Sequence, residues 1–179
     1  MAFVAVEGID GSGKSTVIGL LAEMLPRVYV TKEPSDGPIG RLIREWALRG
    51  GSIDPHVDAL LFAADRIEHY KREIEPKLRE NFLVVTERYI ESSIAYQGAA
   101  GVSIEFIKYV NSSVPRPDLT VILDVDPQIA VERIARRGGV SRGRRGLKRQ
   151  HIRTPRLTAL RGLRRRFSTE FKTAMLDGV

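Results

Sequence analysis

The chain has 179 residues, 42% of them hydrophobic and 28% charged, a composition typical of one globular domain with a sizeable core. The sequence contains no cysteine, which excludes disulfides, thiolate metal sites and a cysteine nucleophile. It has no apolar run long enough to span a bilayer, and residues 1–10 lack the features of a secretory leader. We therefore expect a cytoplasmic protein that does not bind membranes.

The net charge of +7 is distributed unevenly along the sequence. Residues 1–135 contain 15 Lys/Arg and 20 Asp/Glu, whereas residues 136–179 contain 14 Lys/Arg and only 2 Asp/Glu. The basic character therefore belongs to the C-terminal segment. Charge asymmetry of this kind can mark a tail that binds nucleic acid.

Strand and helix patterns alternate in chain order through the first three-quarters of the sequence. Continuous apolar runs predict strands at residues 3–6, 28–30, 82–86 and 119–125. Helical spacing predicts helices at 15–25, 39–48, 57–78, 90–96, 104–110 and 127–136, with Pro76 bending or ending the third, and a further short one at 167–176. Fully apolar strands alternating with helices indicate a three-layer α/β/α fold around a parallel sheet.

A glycine-rich sequence follows the first strand and opens the first helix. Residues 8–16, GIDGSGKST, match the P-loop pattern G-x-x-x-x-G-K-[ST] in the required strand–helix context. Its backbone N–H groups and the helix N-terminus favour a polyphosphate, its lysine reaches the β- and γ-phosphates, and its first hydroxyl ligates Mg²⁺. The predicted nucleotide-binding residues are Gly8, Gly11, Ser12, Gly13, Lys14, Ser15 and Thr16.

Charged residues at the ends of two strands extend this prediction. Asp10 lies inside the glycine-rich loop, where a carboxylate is favourable only beside a metal, a bound water or an acceptor hydroxyl. Glu87 follows the third strand and is suited to hold Mg²⁺ through water, and Arg88 is suited to bidentate phosphate recognition. The alternative is that Glu87 and Arg88 form a solvated charged pair.

Together with other motifs, these residues resemble the thymidylate kinase family. The motifs are residues 8–16, Glu33-Pro34, LFAADR at 61–66, ERY at 87–89, SSIAYQG at 92–98, PDLT at 117–120 and LDV at 123–125. They extend from about residue 3 to residue 139. The resemblance implies a P-loop kinase fold, transfer of the γ-phosphate of ATP to dTMP with Mg²⁺, and a homodimer.

The resemblance also assigns residues to the acceptor site. Phe62 stacks on thymine, Arg66 and Arg88 clamp the dTMP phosphate together, and Glu33 and Pro34 shape the pocket. Residues close to the base edge or the deoxyribose are Ser93, Gln97 and Tyr96. Alternatively, Phe62 is a core residue and Arg66 a solvated charge on a helix face.

A catalytic arginine of this family comes either from the P-loop or from a flexible lid. Because the P-loop has glycine at residue 11, we expect the lid to supply it, from Arg136, Arg137 or Arg142, with Arg142 favoured. We expect one kinase domain over residues 1–179, with a core at 1–135, a candidate lid at 136–150 and an atypical basic segment at 143–179.

The motifs end after Arg142, where the sequence becomes rich in arginine and glycine. A basic tail that binds nucleic acid, a divergent lid and helix, or a shifted reading frame would each explain the change, and resequencing the codons for residues 139–145 tests the last. Two other functions remain open, a different nucleotide or deoxynucleoside kinase and a non-catalytic P-loop protein with a nucleic-acid-binding tail. The histidines, expected at the surface without metal-ligand spacing, are His56, His69 and His151.

Overall fold

Four strands form a single parallel sheet in a computed structural model that describes residues 2–51 and 54–136. Their order across the sheet is β2-β3-β1-β4. The strands are β1 (Phe3–Glu7), β2 (Val28–Lys32), β3 (Leu83–Glu87) and β4 (Leu119–Ile122). All four predicted strands are confirmed, although β4 ends three residues earlier than the apolar run indicates.

Helices connect the strands, as the parallel topology requires. They are α1 (Lys14–Met24), α2 (Pro38–Glu45), α3 (Pro55–His69), α4 (Glu75–Arg79), α5 (Ile90–Ala99), α6 (Ile104–Val110) and α7 (Pro127–Arg136). A 3₁₀ turn over Ala47–Arg49 follows α2. These bounds confirm the predicted helices within the described part of the chain, and the predicted helix at 167–176 lies outside it.

The long predicted helix at 57–78 is interrupted by a π-helical turn at Tyr70–Ile74, between α3 and α4. Pro76 lies in the first turn of α4 rather than ending the helix. Because proline has no backbone N–H, it cannot bond the carbonyl of Arg72 one turn earlier. The wider π turn lies directly before Pro76, where this hydrogen bond is missing. A π turn directs its side chains differently around the helix axis from an α-helical turn.

The core lies on both faces of the two central strands. On one face, Phe3 and Ala5 of β1 and Val84 of β3 pack with Ile74 and Tyr89. On the other face, the buried residues are Val6, Ile18 and Val85. Alternate residues of β1 therefore face opposite layers, which confirms the predicted three-layer arrangement.

The register of the sheet places the carboxyl ends of the strands at one edge. Val6 and Lys32 both pair with Glu87, and Glu7 pairs with Ile122. The loops that leave these strands consequently start close together. This edge is where ligands bind in open parallel α/β sheets.

Among the described residues, no helix has the length and apolar content that a membrane crossing requires. The described elements belong to one compact unit. The cytoplasmic location and the single domain over residues 1–179 stay predictions.

Candidate active site

The loop between β1 and α1 has the backbone conformation of a phosphate cradle. Gly8, Gly11 and Gly13 have φ angles of 145°, 83° and 100°, values that residues with a side chain rarely adopt. Lys14, the first residue of α1, is buried, and its Nζ donates to the carbonyl oxygens of Gly8 and Ile9 at 3.0 Å each. The loop thus curls around its own lysine at the N-terminus of an 11-residue helix.

The electrostatic surroundings of Lys14 suit a residue that receives a phosphate. Burial lowers the pKa of Lys14 and Arg88 lowers it further, while the carboxylates of Glu87 and Asp10 act in the opposite direction. Its Nζ lies 3.9 Å from Glu87 Oε1. An anionic ligand would stabilise the charged form of this lysine.

A hydroxyl and a carboxylate at the mouth of the loop form a donor set suited to Mg²⁺. Ser15 Oγ donates to Glu87 Oε2 at 2.8 Å, which brings together two predicted metal ligands 72 residues apart in sequence. Hard oxygen donors of this kind, with phosphate oxygens and water, are what Mg²⁺ prefers. No cluster of three or more His, Asp or Glu side chains with metal-binding geometry exists within residues 2–51 and 54–136, so phosphate and water would have to complete the shell.

Arg88 and Asp10 form an ion pair across the cradle. Arg88 has a left-handed backbone conformation, with φ of 73°, and its Nη1 donates to Ser92 Oγ at 3.1 Å. The guanidinium also lies over the ring of Tyr96, 5.4 Å from its centroid. The structure therefore brings together three of the predicted site residues, Asp10, Arg88 and Tyr96, and fixes the direction of the arginine.

Glu7, which is not among the predicted site residues, stabilises the backbone that follows Arg88. Its Oε1 accepts hydrogen bonds from the backbone N–H groups of Tyr89 at 2.7 Å and Ser92 at 3.2 Å. Its Oε2 accepts a bond from Ser92 Oγ at 2.7 Å. Burial raises the pKa of Glu7, and the hydrogen bonds from Ser92 and Tyr89 offset part of that increase. The one feature of the sequence that points to Glu7 is its position at the carboxyl end of the first strand, β1.

Arg66 lies inside the protein rather than at the pocket surface, with an exposed fraction of 1%. Its Nε donates to Glu33 Oε2 at 2.8 Å, and its Nη2 donates to the carbonyl oxygen of Tyr89 at 3.0 Å and to Ser93 Oγ at 3.2 Å. Its Nη1 donates to Asn111 Oδ1. Because nearly all its donors are engaged, this geometry favours a supporting role over the expected direct clamp on phosphate.

His69 corrects a prediction, because it is buried and not at the surface. Its exposed fraction is 2%, and its ring lies between Glu33 and Glu73. His56 is exposed, as predicted, and His151 lies outside the described residues. A lone histidine on a helix carries no sequence signal for burial, since the partners come from β2 and the π turn.

The side chains expected near the base belong to α3 and α5. Phe62 lies one turn before Arg66 on α3 and is half-buried. Ser93 and Gln97 on α5 are buried, and Gln97 Oε1 has no hydrogen-bond partner among the described residues. The Glu33-Pro34 peptide bond is cis and follows β2 at the same edge of the sheet.

Helix α7 lies against the glycine-rich loop. The carbonyl oxygen of Ala130 would be only 2.5 Å from a Cβ at residue 11, so no side chain fits there. Arg133, which the sequence analysis did not select, donates from Nη1 to the carbonyl oxygen of Gly11 at 3.3 Å. Arg136 is exposed, and Arg137 and Arg142 lie outside the described residues, so the lid role of Arg142 stays a prediction.

A parallel α/β sheet with this loop at its carboxyl edge defines the class of P-loop nucleotide-binding proteins. The comparison with known families is more specific. The family model of thymidylate kinase matches residues 6–175 of the chain. The chain therefore belongs to the thymidylate kinase family.

Individual relatives agree with this assignment. A probable thymidylate kinase of Pyrobaculum aerophilum is 78% identical over 142 residues, which cover 79% of this chain and 74% of that protein. A second, from Caldivirga maquilingensis, is 53% identical over 141 residues, covering 76% and 69%. The crystal structure of thymidylate kinase from Ehrlichia chaffeensis matches with a TM-score of 0.64 at 34% identity, covering 76% of this chain and 85% of that one.

The family model matches as far as residue 175, past the point after Arg142 where the motifs were expected to end. The two archaeal relatives match over 79% and 76% of the chain, close to the extent of the motifs.

Replacing Gly11 tests the contact between α7 and the loop. Gly11→Ala adds a Cβ that meets Ala130, whereas Gly50→Ala adds one with no atom within 4 Å at a similar φ of 91°. Both variants carry the left-handed penalty of about 1–2 kcal/mol. We expect Gly11→Ala alone to lose additional unfolding free energy in urea and to weaken ATP binding in calorimetry. Equal losses in the two variants would contradict the contact.

Proposed function

We propose that this chain is an ATP-dependent nucleoside monophosphate kinase that transfers the γ-phosphate of ATP to dTMP, giving dTDP and ADP. One observation carries the proposal: the sheet edge brings the P-loop lysine, Asp10 and Arg88 together in a member of the thymidylate kinase family. The acceptor, dTMP, is inferred from the name of the relatives. The site supplies one cationic group for the donor phosphates, Lys14, and one for the acceptor phosphate, Arg88.

On the donor side, the P-loop holds the phosphates of ATP. Backbone N–H groups of the loop and the N-terminus of α1 would hold the polyphosphate, and Lys14 would move its charge from the loop carbonyls to the β- and γ-phosphates. Phosphoryl transfer needs charge neutralisation and alignment more than covalent chemistry. These residues provide both.

Ser15 and Glu87 are the residues that would hold Mg²⁺ in this proposal. The ion neutralises charge on the phosphate oxygens when bound. The protein's own part is to hold the hydroxyl and the carboxylate within 2.8 Å of each other. Glu87 Oε1 also lies 3.9 Å from Lys14 Nζ, so this carboxylate would contact both the lysine and the Mg²⁺.

On the acceptor side, Arg88 binds the phosphate of dTMP. Its guanidinium is already fixed by Ser92 and Tyr96, so little side-chain entropy is lost on binding. Asp10 pairs with Arg88 and is exposed, which leaves its carboxylate available for an acceptor hydroxyl. In this proposal Arg142 adds the lid's positive charge near the transferred group.

The nucleoside of dTMP lies between α3 and α5. Phe62 supplies a flat apolar surface for thymine, and Tyr96 lies beside the deoxyribose. Gln97 Oε1 has no partner among the described residues, and the hydroxyl of Ser93, which accepts from Arg66, keeps a proton that it can donate to the base edge. Glu33 and Pro34 form the wall after β2.

We also propose that the chain forms a homodimer through α2 and α3. Four apolar side chains on these two packed helices or directly after α2 are exposed, with exposed fractions of 37–50%: Leu42, Trp46, Leu60 and Ile67. In this proposal the four side chains form one apolar face, which is typical of an interface. A second copy of the same face would cover it in a two-fold arrangement.

Replacing the P-loop lysine tests the proposed chemistry. The native chain should release ADP with ATP, Mg²⁺ and dTMP, and faster than with dCMP, AMP or thymidine. Lys14→Ala should lower kcat about 10²- to 10³-fold, because a charge contact in the transition state is lost. Lys71→Ala, at an exposed lysine paired with Glu75, is the control and should leave kcat unchanged. A faster alternative acceptor would overturn the choice of dTMP.

A leucine at residue 62 separates stacking from core packing. Phe62→Leu keeps apolar volume but removes the flat ring, so KM for dTMP should rise about tenfold while KM for ATP stays constant. Phe106→Leu, at another half-buried phenylalanine on α6, should not change either constant. An unchanged KM in Phe62→Leu would return Phe62 to the core.

A charge on the apolar face tests the dimer. The native chain should sediment at about twice its monomer mass of 20.0 kDa, and Leu60→Glu should shift it to the monomer by burying an unpaired charge. Val131→Glu, at an exposed position of α7, is the control and should leave the mass unchanged. A native monomer would refute the interface.

A further inference from the structure

A buried histidine that no motif includes lies behind the proposed acceptor site. His69 ends α3, and its ring is enclosed between β2 and the π turn. Its Nδ1 lies 3.4 Å from Glu33 Oε1, and its Nε2 lies 2.8 Å from Glu73 Oε2. Thr31 Oγ1 is 2.7 Å from the same Nε2. Each ring nitrogen thus faces a carboxylate.

This arrangement favours protons on both nitrogens of the ring. A neutral imidazole has one N–H donor and one lone pair, so one carboxylate would face the lone pair. The hydroxyl of Thr31 lies 2.8 Å from Glu73 Oε2 and 2.7 Å from Nε2, and its single proton can be donated to only one of them. When it is donated to Glu73, Nε2 needs its own proton to bond the hydroxyl oxygen. The charged imidazolium satisfies Glu33, Glu73 and Thr31 together.

The surrounding charges favour the same form. Burial by itself lowers the pKa of His69, but Glu33, Glu73 and Asp65 together raise it above its ordinary value of 6.5. Arg66 is a second cation in this cluster. Its Nε lies 2.8 Å and its Nη2 lies 2.7 Å from Glu33 Oε2. Glu73 also accepts a hydrogen bond from the hydroxyl of Tyr29 at 3.0 Å.

The π turn explains how Glu73 reaches this cluster. Glu73 lies in the turn at Tyr70–Ile74, and it meets side chains of β2. An α-helical turn would direct this side chain elsewhere around the helix axis. The irregular turn is therefore coupled to the ion cluster.

The cluster reaches the acceptor site through Glu33 and Arg66. Glu33 engages His69 with one oxygen and Arg66 with the other. Arg66 then donates to the carbonyl oxygen of Tyr89, the residue after Arg88. A displaced Glu33 would release Arg66 and with it one support of the left-handed backbone at Arg88.

We propose that charged His69 is a positioning residue for dTMP binding, which acts through Glu33 and Arg66 on the backbone of Tyr89, the residue that follows Arg88. The inference rests on the proposed function, since it takes the space beside Arg88 as the acceptor phosphate site. It predicts a pH dependence with a defined sign. Because the pKa of His69 is raised by folding, its contribution is complete below pH 6.5 and is lost as the pH rises through the folded value.

Two amide substitutions separate the partners of His69. The amide nitrogen in His69→Asn lies where Nδ1 was and can still donate to Glu33, whereas that in His69→Gln lies nearer to Glu73. We expect KM for dTMP to rise about tenfold in His69→Gln and less in His69→Asn, because a bond to a charged group is lost in the first. The kcat at saturating dTMP and KM for ATP should stay constant in both variants. His56→Asn, the same change at an exposed histidine of α3, is the control.

A third variant tests the charge without changing the histidine. Glu73→Gln removes one facing carboxylate and should lower the midpoint at which His69 titrates in ¹⁵N NMR of the imidazole. In the native protein KM for dTMP should rise with pH at that midpoint, and in Glu73→Gln the same rise should move to lower pH. Calorimetric dTMP binding should follow the same profile without depending on turnover.

Several results would overturn the inference. They are a neutral His69 at pH 7, a KM profile that does not move with the NMR midpoint, and equal rises of KM for ATP and dTMP in His69→Gln. Loss of thermal stability without a change in dTMP affinity would show a purely structural histidine. A native protein that binds no dTMP would overturn the proposed function and this inference together, whereas dTMP binding with a neutral His69 would overturn the inference alone.

Discussion

The backbone of Tyr89 is held at both its N–H and its carbonyl group by buried charged side chains, and the geometry of the site depends on these two bonds. Its N–H donates to Glu7 at 2.7 Å, and its carbonyl oxygen accepts from Arg66 at 3.0 Å. These bonds fix the chain just after β3, where Arg88 has a φ of 73°. A non-glycine residue keeps such a conformation only where its surroundings over-determine it. The direction of Arg88 toward Asp10 follows from this constraint.

Buried charges stabilise such a site only when each has partners. Glu7 accepts three hydrogen bonds from two residues, and Glu33 is matched by Arg66 and His69. Removing one partner would leave a charge without compensation, a cost of about 3–5 kcal/mol for a buried pair. Glu7 ends β1 and Glu33 follows β2, so the two carboxylates lie on either side of β3 at the same edge of the sheet. The edge is therefore rigid where the acceptor phosphate is proposed to bind, which lowers the entropic cost of binding.

The residues of the donor half of the site are close together in sequence, whereas those of the acceptor half come from distant parts of the chain. The P-loop is built within nine residues, and all three of its glycines have positive φ angles, as the pattern implies. The acceptor half combines β2, α3, β3 and α5. Its supporting network includes Asn111, which follows α6 and accepts a hydrogen bond from Arg66. Such long-range pairs have no spacing in sequence that reveals them, and so Glu7, His69 and Asn111 were not predicted.

The sequence by itself determined the alternation of strands and helices, the P-loop with Lys14 and Ser15, and the motifs by which the family is identified. These features are local, because apolar periodicity and glycine spacing act over one element or one turn. Only the tertiary structure decided that Arg66 points inward, that His69 is buried between two carboxylates, and that Ala130 excludes a side chain at Gly11. The physical reason is that burial and charge pairing are set by contacts between elements far apart in the chain, which no local pattern records.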